Sequence, residues 1–223
     1  MKKSRKWKLA QKLEQKWWRN YLKGKSPEEY LKWKKNYWNE MLAKISDVVS
    51  ISPLSSGEGL GVRRILDAGC GPAGMYIVLE GHQVDAVDPL LSVYETDLPH
   101  FKRTMYPEVH FFQQPLEEFS TEKKYDLIFC QNALNHVNDL DFCLSKLFSL
   151  MNENARFILC VDGHRFSLLK YLFRLIPGDA LHPHQYSTED YRKKIFANGG
   201  KILKEFSLKK ELVFDYRLFV IGK

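Results

Sequence analysis

The sequence contains no uncharged apolar run of about 18 residues, the length that a membrane-spanning helix needs. Its basic start also lacks the apolar core and the small-residue cleavage site of a secretory signal. We therefore expect neither a transmembrane segment nor a secretory signal. At 223 residues, the chain has room for one α/β domain with a modest extension, but not for two full domains.

Cysteine is scarce, and its four copies form no C-x-x-C pair. This spacing argues against the common zinc-binding and disulfide frameworks. We therefore expect reduced thiols, a cytoplasmic location and no metal. The cysteines are Cys70, Cys130, Cys143 and Cys160.

Tryptophan is absent after Trp38, and all five copies lie in the first segment of the chain. Residues 1–50 also hold 14 Lys/Arg and 5 Asp/Glu, a balance of +9. Because the whole chain carries +7, the remainder has a balance of −2. The sequence therefore predicts a basic, Trp-rich extension over residues 1–49, attached to a nearly neutral domain.

Apolar residues in the extension recur at steps of three and four, which predicts two helices. The second helix should begin with Ser26 as N-cap, Pro27 at the first position and Glu29 completing a capping box. Residues 50–61 are typical of a Ser/Gly/Pro linker, and they mark the boundary of a domain over residues 62–223. The two apolar stripes comprise Ala10, Leu13, Trp17, Trp18, Tyr21 and Leu22, and then Tyr30, Trp33, Tyr37, Trp38, Met41, Leu42 and Ile45.

From residue 62 onward, short apolar runs alternate with stretches long enough for helices. This alternation predicts an α/β fold, a Rossmann-like, seven-stranded, mostly parallel sheet with helices on both faces. Only a short turn separates the last two runs, so we expect the last strand to be antiparallel. The seven runs are VRRILDA, HQVDAVD, VHFFQ, YDLIFC, ARFILCVD, KILKEFSL and YRLFVIGK.

The segment ILDAGCGPAG, residues 65–74, has the spacing G-x-G-x-x-G after the first predicted strand. Gly69 and Gly71 allow a sharp turn and a close approach of the backbone to a ligand. Asp88 ends the second strand, where its carboxylate can accept hydrogen bonds from both hydroxyls of a ribose. NAD and S-adenosylmethionine both carry an adenosine, so these features fit either cofactor.

Three features favour S-adenosylmethionine over NAD. Asp67 places a carboxylate beside the loop, which suits an ammonium and a sulfonium better than a doubly negative pyrophosphate. No Tyr-x-x-x-Lys pair of the kind that short-chain dehydrogenases use follows the loop. The expected antiparallel pair at the end of the sheet is also unusual for dinucleotide-binding domains.

Five segments occur in order: LDAGCGPAG, VDAVDP, FFQQPLEEF, YDLIFCQNALNHVND and ANGGKILKEF. In this order and spacing the chain resembles the class I S-adenosylmethionine-dependent methyltransferases over roughly residues 62–223. It is most similar to their small-molecule branch, which includes the quinone-biosynthesis methyltransferases. Two positions depart from the family pattern, with Ala73 at the third glycine of the first motif and Pro115 where an Asp is common.

The resemblance implies an enzyme that transfers a methyl group from S-adenosylmethionine to a small-molecule acceptor. Together with the strand-end positions, it assigns cofactor binding to Asp67, Gly69, Gly71, Asp88, Pro89, Pro115, Leu116 and Gln131.

His136 is the candidate general base, because it follows the fourth strand and an imidazole titrates near neutral pH. A capping or packing histidine at the start of a helix is the alternative. A later loop holds His182 and His184, but Pro183 between them and the lack of matching ligands favour substrate contact or a plain surface loop over a metal site. The candidate substrate residues are Tyr37, Trp38, Asn135, His164, His184 and Tyr186.

The basic extension has three interpretations, ranked here from first to third. Its helices can form a lid over the cofactor, bind nucleic acid through interleaved Lys and Trp side chains, or rest on an anionic membrane. The alternative functions are therefore a nucleic-acid methyltransferase that uses residues 1–50 and a non-catalytic cofactor-binding module. The fourth-strand segment QNALNHV lacks the Pro-Pro-aromatic set of base-amino methyltransferases, which favours the small-molecule reaction.

Overall fold

The computed structural model describes residues 4–49, 51, 63–164, 186–210 and 214–223, and the structural statements below concern these ranges. Most of the linker predicted over residues 50–61 lies outside them, as do His182 and His184. Within the described ranges, no helix is both long and apolar enough to cross a membrane.

Seven strands form one sheet. They are β1 (Arg64–Ala68), β2 (Gln83–Val87), β3 (Val109–Phe112), β4 (Tyr125–Gln131), β5 (Met151–His164), β6 (Lys201–Lys210) and β7 (Phe214–Gly222). Their order is β3-β2-β1-β4-β5-β7-β6. The pairs from β3 to β5 are parallel, and β7 runs antiparallel to both β5 and β6. The predicted Rossmann-like sheet with an antiparallel last strand is confirmed.

The described helices are α1 (Arg5–Leu22), α2 (Pro27–Lys44), α3 (Leu91–Asp97), α4 (Leu140–Ser149) and α5 (Thr188–Ala197). Helices α1 and α2 lie where the apolar periodicity predicts them, and the other three lie in the stretches between predicted strands. Ser26 caps α2 by accepting the Glu29 backbone N–H, as predicted. The predicted capping box is not completed, because the described hydrogen bonds include none from the Ser26 N–H to the Glu29 side chain, and the Ser26 hydroxyl donates to the Glu28 carboxylate. Ser187 caps α5 in a full capping box with Asp190.

The core divides into two clusters because successive side chains of a strand point to opposite faces of the sheet. Ile65 of β1 belongs to one cluster and Leu66 to the other. Side chains from α4 and α5, including Leu144 and Ile195, complete the second cluster. The first cluster is completed in part by Met41 of the N-terminal extension.

Helix α1 is fastened at both ends to loops of the sheet. The Ser4 backbone N–H donates to Asn138 Oδ1 at 3.1 Å, beyond the end of β4. Arg19 forms an ion pair of 2.6 Å with Asp97 at the end of α3, which follows β2. The helix therefore crosses over the edge of the sheet at which the parallel strands end. The division at residues 50–61 remains a prediction.

Candidate functional site

A cavity of about 540 Å³ lies between α1, α2 and the carboxyl ends of the parallel strands. It has a floor of strand-end loops, represented by Gly69 after β1, Asp88 after β2 and Asn132 after β4. Side chains of α1 and α2, such as Trp18 and Trp38, form the opposite wall. Ligands of open α/β sheets bind at this edge, next to the point where the strand order reverses.

The glycine loop requires glycine at its first position. Gly69 has φ +73°, and a Cβ there would lie 2.2 Å from the Ala133 Cβ. The backbone N–H groups of Gly69 and Cys70 both donate to the Val87 carbonyl, at 2.8 and 3.1 Å. The loop is therefore held against the end of β2, and its backbone faces the cavity.

Asp88 lies in the cavity wall with two backbone hydrogen bonds. Its carboxylate accepts from Gly71 N–H at 3.0 Å and from Leu90 N–H at 2.8 Å. Burial raises the pKa of Asp88 to about 6, against the lowering effect of these N–H donors. Each carboxylate oxygen has a further lone pair, so the side chain can still accept from a ligand.

Asp67 is placed differently, beneath the glycine loop and outside the residues that line the cavity. The residue is 1% exposed, and its carboxylate accepts the Tyr76 backbone N–H at 3.1 Å, in the turn that follows the loop. Burial raises the pKa of Asp67 to about 7. The residue thus fixes the shape of the loop and adds negative charge behind it.

The other residues predicted for the cofactor lie together in the cavity lining, namely Pro89, Pro115, Leu116 and Gln131. The Gln131 side chain donates from Nε2 to the Ile158 carbonyl at 3.0 Å, which joins the end of β4 to the middle of β5. Its Oε1 is buried and has no hydrogen-bond partner within the described part of the chain. A buried acceptor left in this state is suited to a donor group on a ligand.

Three of the predicted acceptor-side residues line the same cavity: His136, Tyr37 and Trp38. The Trp38 indole N–H donates to the Ala73 carbonyl at 3.0 Å, so it also holds α2 against the glycine loop. His136 ends a short 3-10 turn after β4. Helix α4 is capped by Asp139, which accepts the Phe142 N–H, and so the alternative of His136 as the helix cap is not favoured.

The remaining predicted substrate residues are not gathered in this cavity. Asn135 is 2% exposed, and its amide donates to Asn132 Oδ1 at 3.1 Å beneath the lining. Tyr186 packs against Tyr191 of α5, away from the cavity lining. His164 is the last residue of β5, and the prediction for His184 falls outside the described residues.

Helices α1 and α2 contribute polar residues that the motifs did not identify. Glu14 and Lys34 line the cavity, and burial shifts the pKa of each side chain to about 8, upward for Glu14 and downward for Lys34. Asp88 raises the Glu14 pKa further. A signal for Glu14 was present, since it is the one acidic residue among the first 27 of a strongly basic segment.

Asn132 is a further residue to which the motifs assigned no role. It lines the cavity with φ +55°, a left-handed conformation that is uncommon for residues other than glycine. Its N–H donates to the Cys160 carbonyl at 2.9 Å, and its side chain receives the Asn135 amide. These bonds keep the backbone at the end of β4 turned into the cavity.

Comparison with known proteins places these features in a family. The profile described as a methyltransferase domain matches residues 30–200, which leaves α1 outside the match. The ubiquinone biosynthesis O-methyltransferase of Rickettsia prowazekii (strain Madrid E) is 26% identical over 182 residues, covering 76% of this chain and 71% of that relative. The enzyme of the same description from Rickettsia bellii (strain OSU 85-389) is 30% identical over 132 residues, covering 55% of this chain and 53% of the relative.

A solved structure shares the fold. The crystal structure of magnesium protoporphyrin IX methyltransferase from Synechocystis PCC 6803, with bound S-adenosylhomocysteine, aligns with a TM-score of 0.55 and 20% identity. The alignment covers 85% of this chain and 83% of that chain.

Proposed function

We propose that this chain, which belongs to the methyltransferase-domain family and is an S-adenosylmethionine-dependent methyltransferase, methylates a hydroxyl oxygen of a small aromatic molecule. The observation that carries the proposal is the single cavity that joins the glycine loop and Asp88 to His136. Cofactor and acceptor must share one water-excluding space for direct transfer of a methyl group.

The cavity residues fit the cofactor, which supplies an electrophilic methyl group on a sulfonium when it is bound. Asp88 is suited to accept hydrogen bonds from the ribose hydroxyls. Lys34 is the one Lys or Arg among the described lining residues, and it is suited to the carboxylate of the methionine part. The neighbouring negative charge of Asp67 favours the ammonium and the sulfonium.

On the acceptor side, we assign His136 the role of general base. Its imidazole would take the proton of the acceptor hydroxyl as the oxygen forms its bond to the methyl carbon. Aromatic side chains of the extension, including Tyr37 and Trp33, line the cavity and suit a flat, apolar acceptor. An aromatic hydroxyl is consistent with the two relatives, whose names describe O-methyl transfer in ubiquinone biosynthesis.

We propose the extension, residues 1–49, as the lid of this cavity. All five tryptophans line the cavity: Trp7 and Trp38 are 8% and 4% exposed, and Trp17 and Trp33 are 45% and 49% exposed. Rings that stack on nucleic acid are arranged along an open groove, whereas these rings surround one cavity. The nucleic-acid alternative is therefore not favoured.

We also propose a cytoplasmic location for the enzyme. All four cysteines are free thiols and buried. Such residues fit a reducing compartment.

Calorimetry with S-adenosylhomocysteine and NAD tests the cofactor assignment. We expect binding of S-adenosylhomocysteine and no response to NAD. Tight NAD binding without a response to S-adenosylhomocysteine would overturn it.

Transfer itself is tested with radiolabelled S-adenosylmethionine and a cell lysate that is afterwards separated into small-molecule, lipid, nucleic-acid and protein fractions. We expect enzyme-dependent label in an aromatic species of the small-molecule or lipid fraction. Label confined to nucleic acid or protein would contradict the acceptor class, and no transfer at all would favour a non-catalytic cofactor-binding module.

A further inference from the structure

Gln11 of α1 is a buried amide with an unsatisfied oxygen. Its side chain is 8% exposed and lines the cavity. The Nε2 group donates to Glu14 Oε2 at 3.3 Å, one turn along the same helix. The Oε1 atom is buried and has no hydrogen-bond partner among the described residues. Buried acceptors are seldom left in this state unless a ligand or water completes them.

Glu14 fixes which end of the Gln11 amide is free. In the structure, the NH₂ group of this amide donates to the Glu14 carboxyl group, and the Gln11 oxygen is the atom left over. The Gln11 side chain therefore presents an acceptor, and a matching ligand atom must be a hydrogen-bond donor.

The strand order indicates which part of the cofactor lies near Gln11. Gly71 follows β1, Asp88 follows β2 and Pro115 follows β3, and these three strands are consecutive neighbours in the sheet. With the ribose at Asp88, as the proposed function has it, the base lies farther toward β3. A second, shallower cavity opens on that side, and four residues line both cavities: Trp7, Gln11, Pro89 and Pro115.

Gln11 is the one of these four residues whose side chain can accept a hydrogen bond. An indole N–H is a donor only, and proline has no polar side-chain atom. Adenine carries an exocyclic 6-amino group with two N–H donors. The unsatisfied acceptor and the expected position of the base thus coincide at one residue of α1.

We propose that Gln11 recognises the adenine of the cofactor, with Oε1 accepting from the 6-amino group, and that Glu14 acts as a positioning residue for this amide. The proposal rests on the proposed function, because it assumes that the cavity binds S-adenosylmethionine. It gives α1, which lies outside the family match, a defined part in cofactor recognition.

The 6-oxo analogue of S-adenosylhomocysteine, in which hypoxanthine replaces adenine, tests the proposal by calorimetry. Its carbonyl would face the Gln11 oxygen, so the wild-type protein should bind it at least about tenfold more weakly than S-adenosylhomocysteine. Gln11→Met keeps a similar shape without the acceptor. This variant should lose about tenfold in affinity for S-adenosylhomocysteine and bind the two ligands within about threefold of each other.

Gln15→Met is the matched control, since Gln15 lies on the same helix and lines the second cavity but not the first. We expect it to bind both ligands as the wild-type protein does. Glu14→Gln should free the Gln11 amide to rotate. The difference in affinity between S-adenosylhomocysteine and its 6-oxo analogue should therefore become smaller. If Glu14 has a purely structural role, Glu14→Gln would instead weaken the binding of both ligands equally.

The outcomes separate this inference from the proposed function. A wild-type protein that does not bind S-adenosylhomocysteine overturns both. A wild-type protein that binds it and binds the 6-oxo analogue equally well overturns the Gln11 assignment alone, and this comparison needs no variant. Retention of the full preference in a folded Gln11→Met protein, checked by its thermal unfolding, would overturn the assignment as well.

Discussion

Three buried aspartates lie on or directly after the neighbouring strands β1 and β2, and their surroundings differ. Asp85 of β2 accepts from the Tyr125 hydroxyl at 2.7 Å and from Lys123 Nζ at 3.0 Å, and it contacts the His110 ring at 3.2 Å. Asp67 and Asp88, at the carboxyl ends of β1 and β2, are held by backbone N–H groups. No Lys or Arg of the described ranges lies within ion-pair distance of either.

The difference indicates which of these carboxylates are placed to serve a ligand. A buried carboxylate paired with a lysine has its charge neutralised within the protein, which is a structural solution. A buried carboxylate without a cation retains an unfavourable charge, as the raised pKa values of Asp67 and Asp88 record. A cationic cofactor would relieve this cost on binding, so Asp67 and Asp88 lower the stability of the cofactor-free protein, whereas the paired Asp85 does not.

The largest expected effect is a pH dependence of stability in the cofactor-free protein. Because the pKa of Asp67 is raised from 3.8 to about 7, the folded protein retains a proton there that the unfolded chain releases between about pH 4 and 7. The free energy of unfolding should therefore fall as the pH rises through this window. Asp67→Asn removes the titrating group. It should reduce the fall in the free energy of unfolding between about pH 4 and 7 by up to about 4 kcal/mol, measured by urea unfolding at several pH values.

Glu80→Gln is a control for this experiment, because the Glu80 side chain is 91% exposed. Glu80→Gln should leave the pH dependence of the free energy of unfolding unchanged. A slope in Asp67→Asn as steep as that of the wild-type protein would show that the Asp67 charge is not a cost to the fold.

The next effect compares His136, which lines the cavity, with His110, which contacts Asp85. If His136 is the general base, His136→Ala should lower turnover on the lysate's small-molecule fraction by roughly a hundredfold, with the affinity for S-adenosylhomocysteine nearly intact. His110→Ala, beside Asp85, should leave turnover alone, since the His110 side chain is 69% exposed and outside the cavity. Equal turnover of the His136 variant and the wild-type protein would leave alignment of the acceptor as the mechanism.

The smallest of the three effects compares two aspartates that are three residues apart in the chain. Asp88→Ala removes charge-assisted hydrogen bonds to the ribose, so the affinity for S-adenosylhomocysteine should fall at least about tenfold by calorimetry. Asp85→Ala should instead cost about 2–3 kcal/mol of unfolding free energy, because it leaves Tyr125 and Lys123 without their partner. Its affinity per folded molecule should be unchanged. A reversed pattern would mean that the ligand does not lie at the Asp88 end.

Much of the fold could be predicted from local patterns. The seven apolar runs, the break before Pro27 and the caps at Ser26 and Ser187 are all features of short segments, and the structure bears them out. The carboxyl ends of consecutive parallel strands necessarily lie at one edge of the sheet. For this reason the sequence alone is enough to place Gly69, Gly71, Asp88 and Gln131 close together.

The contributions of α1 and α2 could not be predicted in the same way. Trp17 lies on the predicted apolar stripe, yet it is 45% exposed at the cavity. Gln11 and Lys34 were indistinguishable from solvent-facing residues of a basic amphipathic helix, and the isolated acidic charge of Glu14 did not show that it faces a cavity. Their place in the cavity depends on how α1 crosses the sheet, which periodicity within one helix does not encode.

The sequence by itself determined the order of strands and helices along the chain, the glycine loop and the identity of the strand-end residues. These features follow from side-chain periodicity and from the backbone freedom of glycine. Only the tertiary structure decided that Asp67 lies behind the loop, that Asn135 lies beneath the cavity and that α1 brings Gln11 over it. The physical reason is that these positions are set by contacts between segments distant in the chain. The hydrogen bond from Ser4 to Asn138 and the ion pair between Arg19 and Asp97 fix the path of α1. Neither contact can be inferred from the local sequence around the residues that form it.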